Sequence, residues 1–167
     1  MALLQSIPYY NIVANKFIPL DSISVFLRRY GINSIVINFD NVLINQDLTS
    51  YISDKSINKF IESRNIPCDF IDLTLLQNFI TSLNKNGIQV FIISSYPSEL
   101  VANYLHCGNI INNIRFYTPE FFSQVVKLDS YDIENFSEYI NYIMYQYNIT
   151  NNQIIYLDSN IDIVNYI

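Results

Sequence analysis

The chain has 167 residues, of which half are hydrophobic and 14% are charged, and its formal net charge is −6. This length suits one domain with a sizeable core and is short for two. Lys and Arg are scattered and form no basic stripe, which argues against a nucleic-acid partner. No apolar run approaches the roughly 18 residues needed to span a bilayer, so no membrane association is expected.

Two cysteines, Cys68 and Cys107, lie far apart in the sequence and have no partners at metal-binding spacing. Such thiols are typical of a reduced, intracellular protein, and the cytoplasm is the expected compartment. The N-terminus lacks the positively charged start of a signal peptide. Because the chain has only 3 Gly, 5 Pro and no low-complexity linker, residues 1–167 are expected to form a single domain.

Helical and extended patterns alternate along the sequence. The first predicted helix covers residues 21–30, with Asp21 as its N-cap and Gly31 as its stop. The first predicted strand follows at 34–39. It is almost entirely apolar, which is typical of a strand covered on both faces.

The same alternation continues after a polar, irregular stretch at 45–68. Further helices are predicted over 56–63, 72–86, 97–106 and 132–147, and further strands over 88–93, 113–117 and 153–157. Repeated β-α units indicate an α/β fold with a parallel sheet and helices on both faces. In such sheets ligands bind beyond the carboxyl ends of the strands.

The first strand ends in two polar residues with one residue between them, Asn38 and Asp40. Side chains alternate along an extended segment, so both face the same side. The segment Asn38-Phe-Asp40-Asn-Val42-Leu resembles the first motif of the haloacid dehalogenase (HAD) superfamily, Asp-x-Asp-x-Thr-Leu. Asn38 stands where that family has its nucleophilic Asp, and Val42 stands where it has Thr.

Three later signals follow in the order of that superfamily. Ser94 ends the second strand and resembles the second motif, whose hydroxyl hydrogen-bonds the transferring phosphoryl group. Lys127 precedes the 132–147 helix, at the place of the third-motif Lys that offsets negative charge. Asp158 ends the last strand and is followed by Asp162, and this pair resembles the fourth motif, Gly-Asp-x-x-x-Asp.

The resemblance implies a Rossmann-like, HAD-like sheet with strand order 4-1-2-3. Residues 45–68 are too few for a full cap domain, as in the small capless phosphatases of the superfamily. The catalytic positions implied are Asn38, Asp40, Ser94 and Lys127, in a degenerate site. A weak Mg²⁺ site is also implied, with the ligands Asn38, Asp40, Asp158 and Asp162. Only five residues follow Asp162 where the family continues, so two expectations stay open: the chain is truncated at its C-terminus, or its sheet is one strand short and the edge is covered by something else.

Each match also has an ordinary structural explanation. Asn38 and Asp40 could be strand-end turn residues, Ser94 and Asp158 could cap helices, and most lysines are solvated. Their order, spacing and strand-end positions together favour the resemblance for the fold. They favour catalysis less, because the residues that depart from the motifs are those that the chemistry needs.

Two functional classes stay open, and a third possibility, which shares the site of the first, is an accessory subunit whose activity belongs to its partner. An amide is a poor nucleophile, so Asn38 favours a pseudophosphatase: a HAD-like domain that has lost catalysis and serves as a binding or scaffold module. Its partner is expected to be a protein, with a small phosphorylated ligand as a second option. Leu157 supports this interpretation, because it adds a Cβ where the fourth motif has Gly. The alternative is a Mg²⁺-dependent phosphatase or phosphotransferase acting through Asp40 or water.

The predicted 132–147 helix also carries three tyrosines off its predicted core face, namely Tyr139, Tyr142 and Tyr145. Composition bias is one explanation, since the whole chain is rich in Tyr. The other is a protein-binding face, because Tyr is enriched at interfaces.

Overall fold

The computed structural model of the protein describes residues 19–45, 48, 61, 65–125 and 133–159. The predictions that concern Lys127 and Asp162 lie outside these ranges, as does most of the helix predicted over 56–63.

Within the described residues, five helices and four strands follow one another. The helices are α1 (Leu20–Arg29), α2 (Leu73–Lys85), α3 (Ser98–Cys107), α4 (Pro119–Val125) and α5 (Ile133–Tyr147). The strands are β1 (Ser34–Asn38), β2 (Gln89–Ile93), β3 (Arg115–Tyr117) and β4 (Ile154–Leu157). Short 3₁₀ turns precede α2, β3 and β4, at Ile66–Asp69, Ile111–Asn113 and Asn151–Gln153. The predicted α/β class is confirmed.

All four strands are parallel and form one sheet in the order β3-β2-β1-β4. Counted from the β4 edge, this is the order 4-1-2-3. In the ladder, Asn38 pairs with Ile93, Ile93 with Tyr117, and Ile37 with Leu157. The segments that follow β1, β2 and β4 therefore leave the sheet side by side, at its carboxyl edge.

The side chains of β1 alternate between two hydrophobic layers. Ile35 and Ile37 pack in one layer with buried residues of α2 and α3, such as Leu83 and Tyr104. Val36 packs in the other layer, with residues of α4 and α5. Helices therefore cover both faces of the sheet, as predicted, and this is why β1 is apolar along nearly its whole length.

The start of α1 differs from the prediction. Pro19 holds the N-cap position, and Asp21 lies in the first turn of the helix. The Asp21 Oδ1 atom instead accepts a hydrogen bond from the Ser82 hydroxyl of α2, at 2.7 Å. The N-cap prediction was wrong because the partner of Asp21 is 61 residues away in sequence. Gly31 follows α1 with a φ of 82°, a left-handed conformation that suits Gly after a helix end.

Helix α4 was not predicted, and it changes the interpretation of the tyrosines on α5. Phe122 of α4 is buried, and its ring stacks on Tyr139 with centroids 3.6 Å apart and an interplanar angle of 3°. Tyr142 packs against the same hydrophobic layer. Placing Tyr139 off the core was therefore wrong, because α4 covers that side of α5. Tyr145 alone of the three is fully exposed, at 87%.

Cys68 and Cys107 are free and exposed. No helix among the described residues combines the length and the apolar character required to cross a membrane.

Candidate functional site

The polar side chains at the carboxyl edge of the sheet form one connected cluster. The structure brings together four of the predicted site residues, namely Asn38, Asp40, Ser94 and Asp158. The other two, Lys127 and Asp162, lie outside the described residues. The cluster follows from the parallel register, which aligns the ends of β1, β2 and β4.

Asn38 lies at the centre of this cluster and is buried, with 5% of its surface exposed. Its Nδ2 atom donates a hydrogen bond to Oδ2 of Asp158, at 2.9 Å. Its Oδ1 atom accepts one from the backbone N–H of Asp40, at 3.2 Å. The two contacts fix the orientation of the amide. Turning it over would place its oxygen against the Asp158 oxygen and its N–H against the N–H of Asp40, and neither pair can form a hydrogen bond. Asn38 thus presents hydrogen atoms, and no lone pair, to Asp158.

The carboxylate of Asp40 is enclosed by the turn that follows β2. Its Oδ1 atom accepts a hydrogen bond from the Ser94 hydroxyl, at 2.8 Å. Its Oδ2 atom accepts two from Ser95, one from the backbone N–H at 3.1 Å and one from the hydroxyl at 2.5 Å. Three donors from two consecutive residues therefore hold this carboxylate.

Burial raises the pKa of the Asp40 carboxyl above its usual value, and the charge of Asp158 raises it further. Hydrogen bonds from Ser95 and Ser94 oppose this rise, because they stabilise the ionised form. Asp40 is therefore a carboxyl group that holds a proton more readily than a solvated Asp does.

The hydroxyl of Ser94 is already used within the protein. It donates to Asp40, and it accepts a hydrogen bond from the backbone N–H of Tyr96 at 3.0 Å. Tyr96 is itself buried, and its own hydroxyl accepts a hydrogen bond from the backbone N–H of Leu48 at 3.0 Å. A phosphoryl group at this turn would have to displace the Asp40 carboxylate from its donors.

Tyr156 belongs to the site, although it was not among the site residues predicted from the sequence. Its hydroxyl donates to Oδ2 of Asp158, the same oxygen that Asn38 contacts. Burial, together with this hydrogen bond, raises the pKa of the Tyr156 hydroxyl well above its usual range, so it stays a donor. A tyrosine in a strand is normally assigned to the core. Its spacing of two residues from Asp158 was the available signal, because such residues share one side of a strand.

The departures from the first and fourth motifs are accommodated by packing. Val42 and Leu157 are partly buried and pack against the layer that contains Ile35 and Ile37. Between Asp40 and Val42, Asn41 adopts a left-handed φ of 60°, which Asn tolerates better than most residues. This turn directs Val42 back toward the core.

Three of the four Mg²⁺ ligands that the motif resemblance implied, Asn38, Asp40 and Asp158, are described, and their side chains are not arranged as ligands of one ion; the fourth, Asp162, lies outside the described residues. Mg²⁺ is bound by oxygen ligands, but Asn38 directs its N–H toward Asp158. Both oxygens of Asp40, and Oδ2 of Asp158, accept hydrogen bonds from protein donors. Among the described residues, no group of three or more His, Cys, Asp or Glu side chains could hold a metal ion.

Comparisons of the chain with protein-family models, with curated proteins and with solved structures gave no match. The chemistry of the site therefore has to be inferred from its side chains. The described cluster contains one amide, two carboxylates and three hydroxyls, contributed by Asn38, Asp40, Asp158, Ser94, Ser95 and Tyr156. These groups hydrogen-bond one another, and the side chain at position 38 is the amide.

Proposed function

We propose that this chain is a HAD-like domain that has lost phosphatase catalysis and serves as a binding or scaffold module. The observation that carries the proposal is the hydrogen bond from the Asn38 amide to Asp158, at 2.9 Å. In a phosphatase of this kind, the group at that position attacks phosphorus. An amide nitrogen that donates to a carboxylate has no lone pair available for attack and no anionic form at neutral pH.

The remaining groups support the same conclusion. Asp40 is the candidate for proton transfer, and Ser94 is the candidate for contact with a phosphoryl group. They bind each other, with the Ser94 hydroxyl 2.8 Å from Asp40 Oδ1. A substrate would therefore have to break existing hydrogen bonds before it could use either group, which costs about 1.5–3 kcal/mol for each bond to a charged group.

The loss of catalysis can be tested by an assay with p-nitrophenyl phosphate and Mg²⁺ that compares the wild-type chain with Asn38→Asp. The wild type is expected to show no turnover above background. Asn38→Asp is expected to restore little or none, because Val42 and Leu157 still differ from the motifs. Positioning errors near 1 Å can cost about a hundredfold in rate.

The second candidate function is a phosphatase or phosphotransferase that acts through Asp40. Its specific support is the raised pKa of the Asp40 carboxyl, since proton-transfer groups are often buried carboxyls with a raised pKa. Turnover by the wild type that Asp40→Asn abolishes would establish this function and refute the first. Asp40→Asn is the suitable variant because it keeps the shape of the side chain and removes its charge.

The binding function is proposed for a protein partner rather than for a phosphorylated small molecule. The donors of Ser94 and Ser95, which would hold a phosphate, are occupied by Asp40. Titration with inorganic phosphate is therefore expected to leave the amide NMR signal of Ser95 in place. A saturable shift of that signal would instead favour a phosphorylated ligand. Asp40→Ala is the matched positive control, because removing the Asp40 carboxylate leaves the donors of Ser94 and Ser95 free to bind phosphate.

A further inference from the structure

We infer that Asn38 and Tyr156 together replace a divalent cation at Asp158, so that the folded site needs no metal ion. Both residues donate to the same carboxylate oxygen, Asp158 Oδ2. Asn38 does so through Nδ2 at 2.9 Å, and Tyr156 does so through its hydroxyl. The inference goes beyond the loss of catalysis, because a domain without a nucleophile can still bind a cation.

The two donors lie on neighbouring strands, near the point where the backbone ladder ends. Ile37 and Leu157 are the last paired residues of β1 and β4. Asn38 follows Ile37 in β1, and Asp158 is the first residue after β4; their side chains continue the connection between the two segments as a hydrogen bond. Tyr156 approaches the same oxygen from within β4. Asp158 is therefore held from both strands by neutral groups.

The orientation of the Asn38 amide distinguishes this arrangement from a cation site. Its Oδ1 atom is directed to the backbone N–H of Asp40, and its Nδ2 atom is directed to Asp158. A cation between positions 38 and 158 would need a lone pair from each residue. Asn38 supplies a hydrogen atom there instead, so it satisfies Asp158 directly.

Charge explains why a neutral donor is effective at this position. Asn38 contacts the carboxylate of Asp158 and the backbone N–H of Asp40, so a carboxylate at position 38 would face Asp158 directly and would add a third negative charge to a partly buried cluster that already contains Asp40 and Asp158. Like charges in a partly buried cluster repel one another, and they are tolerated when a cation or a proton lies between them. Compared with a carboxylate at position 38, the amide of Asn38 removes one negative charge and adds a hydrogen-bond donor.

The test is thermal unfolding of the full chain in EDTA and in millimolar MgCl₂, with the ionic strength matched by NaCl. The Tm of the wild type is expected to be the same in both buffers. Asn38→Asp is expected to have a lower Tm in EDTA and to regain on the order of 5 °C in MgCl₂. This recovery follows because a ligand that binds only the folded state stabilises it by mass action.

The matched control is the exchanged pair, Asn38→Asp combined with Asp158→Asn. It has the net charge of the wild type and keeps one amide and one carboxylate, with the direction of the hydrogen bond reversed. We expect it to recover most of the Tm lost by Asn38→Asp in EDTA and to show no response to MgCl₂. Tyr156→Phe removes one donor without adding charge, and it should lower the Tm equally in both buffers.

Two results of the unfolding experiment would overturn the inference. One is a wild-type Tm that rises in MgCl₂ but not in matched NaCl, with the rise lost in Asp158→Asn. The other is an Asn38→Asp protein whose Tm does not respond to MgCl₂. If Asn38→Asp does not fold, calorimetric titration of the wild type with MgCl₂ decides. Saturable heat that is lost in Asp158→Asn refutes the inference, and no saturable heat supports it. These readouts do not involve turnover, so the inference can fail while the loss of catalysis stands.

Discussion

The Nδ2 atom of Asn38 lies 2.9 Å from the Oδ2 atom of Asp158, although the two residues are 120 positions apart in sequence. The contact exists because β1 and β4 are adjacent, parallel and in register up to Ile37 and Leu157. It joins an amide donor to a carboxylate acceptor at the edge of the sheet where α/β proteins bind ligands. In the function proposed above, this contact occupies the side chain that stands at the position of the superfamily's nucleophile.

The first prediction concerns the titration of Asp40. Its pKa in the folded protein is raised above 3.8, mainly by burial, so the ionised form costs stability. The stabilising contribution is complete below pH 3.8 and is lost as the pH rises through the folded-state value. The free energy of unfolding of the wild type, relative to Asp40→Asn, is therefore expected to increase as the solution is acidified.

The midpoint itself can be read from ¹³C NMR of the Asp40 side chain. It should lie above 3.8, and Ser95→Ala should raise it further, because the Ser95 hydroxyl stabilises the ionised form. A midpoint at or below 3.8 in the wild type would contradict the prediction.

The second prediction compares two tyrosines of α5. Tyr139→Ala is expected to destabilise the fold by about 3–5 kcal/mol, because Tyr139 is buried and its ring stacks on Phe122. Tyr145→Ala should change stability by less than about 0.5 kcal/mol, since Tyr145 is 87% exposed. Urea unfolding of the two variants provides the measurement. Equal losses would show that α4 does not cover this side of α5.

The third prediction distinguishes two physical reasons why a position favours glycine: lack of space for a side chain, and an unfavourable backbone conformation. At Gly108, an added Cβ would lie 3.0 Å from Cζ of Phe70, so Gly108→Ala should cost about 1–3 kcal/mol through overpacking. At Gly31, an added Cβ would meet no atom within 4 Å, but the φ of 82° is unfavourable for other residues. Gly31→Ala should therefore cost about 1–2 kcal/mol through backbone strain alone.

Phe70→Leu distinguishes the two mechanisms. A smaller side chain at position 70 should relieve part of the cost of Gly108→Ala, which a double-mutant cycle would detect as coupling. The same background should leave the cost of Gly31→Ala unchanged. Coupling at Gly31, or its absence at Gly108, would disprove the assignment.

Local sequence patterns were sufficient to predict most of the secondary structure. Apolar periodicity and the Gly stops predicted the described helices to within one residue, apart from α4, and the strands to within two. Helix α4 was missed because it is only seven residues long and its apolar side chains show little periodicity. That omission also misplaced Tyr139, whose environment is made by α4.

The sequence by itself determined the α/β class, the polar strand ends, and the fact that position 38 carries an amide. Only the tertiary structure decided which way that amide points, that Ser95 shares in holding Asp40, and that Tyr156 belongs to the site. The physical reason is the distance in sequence between the groups that interact. Helical and extended patterns repeat over a few residues, whereas the hydrogen bonds of the site join segments 54 and 120 residues apart. Such bonds depend on strand order and register, which only the folded sheet sets.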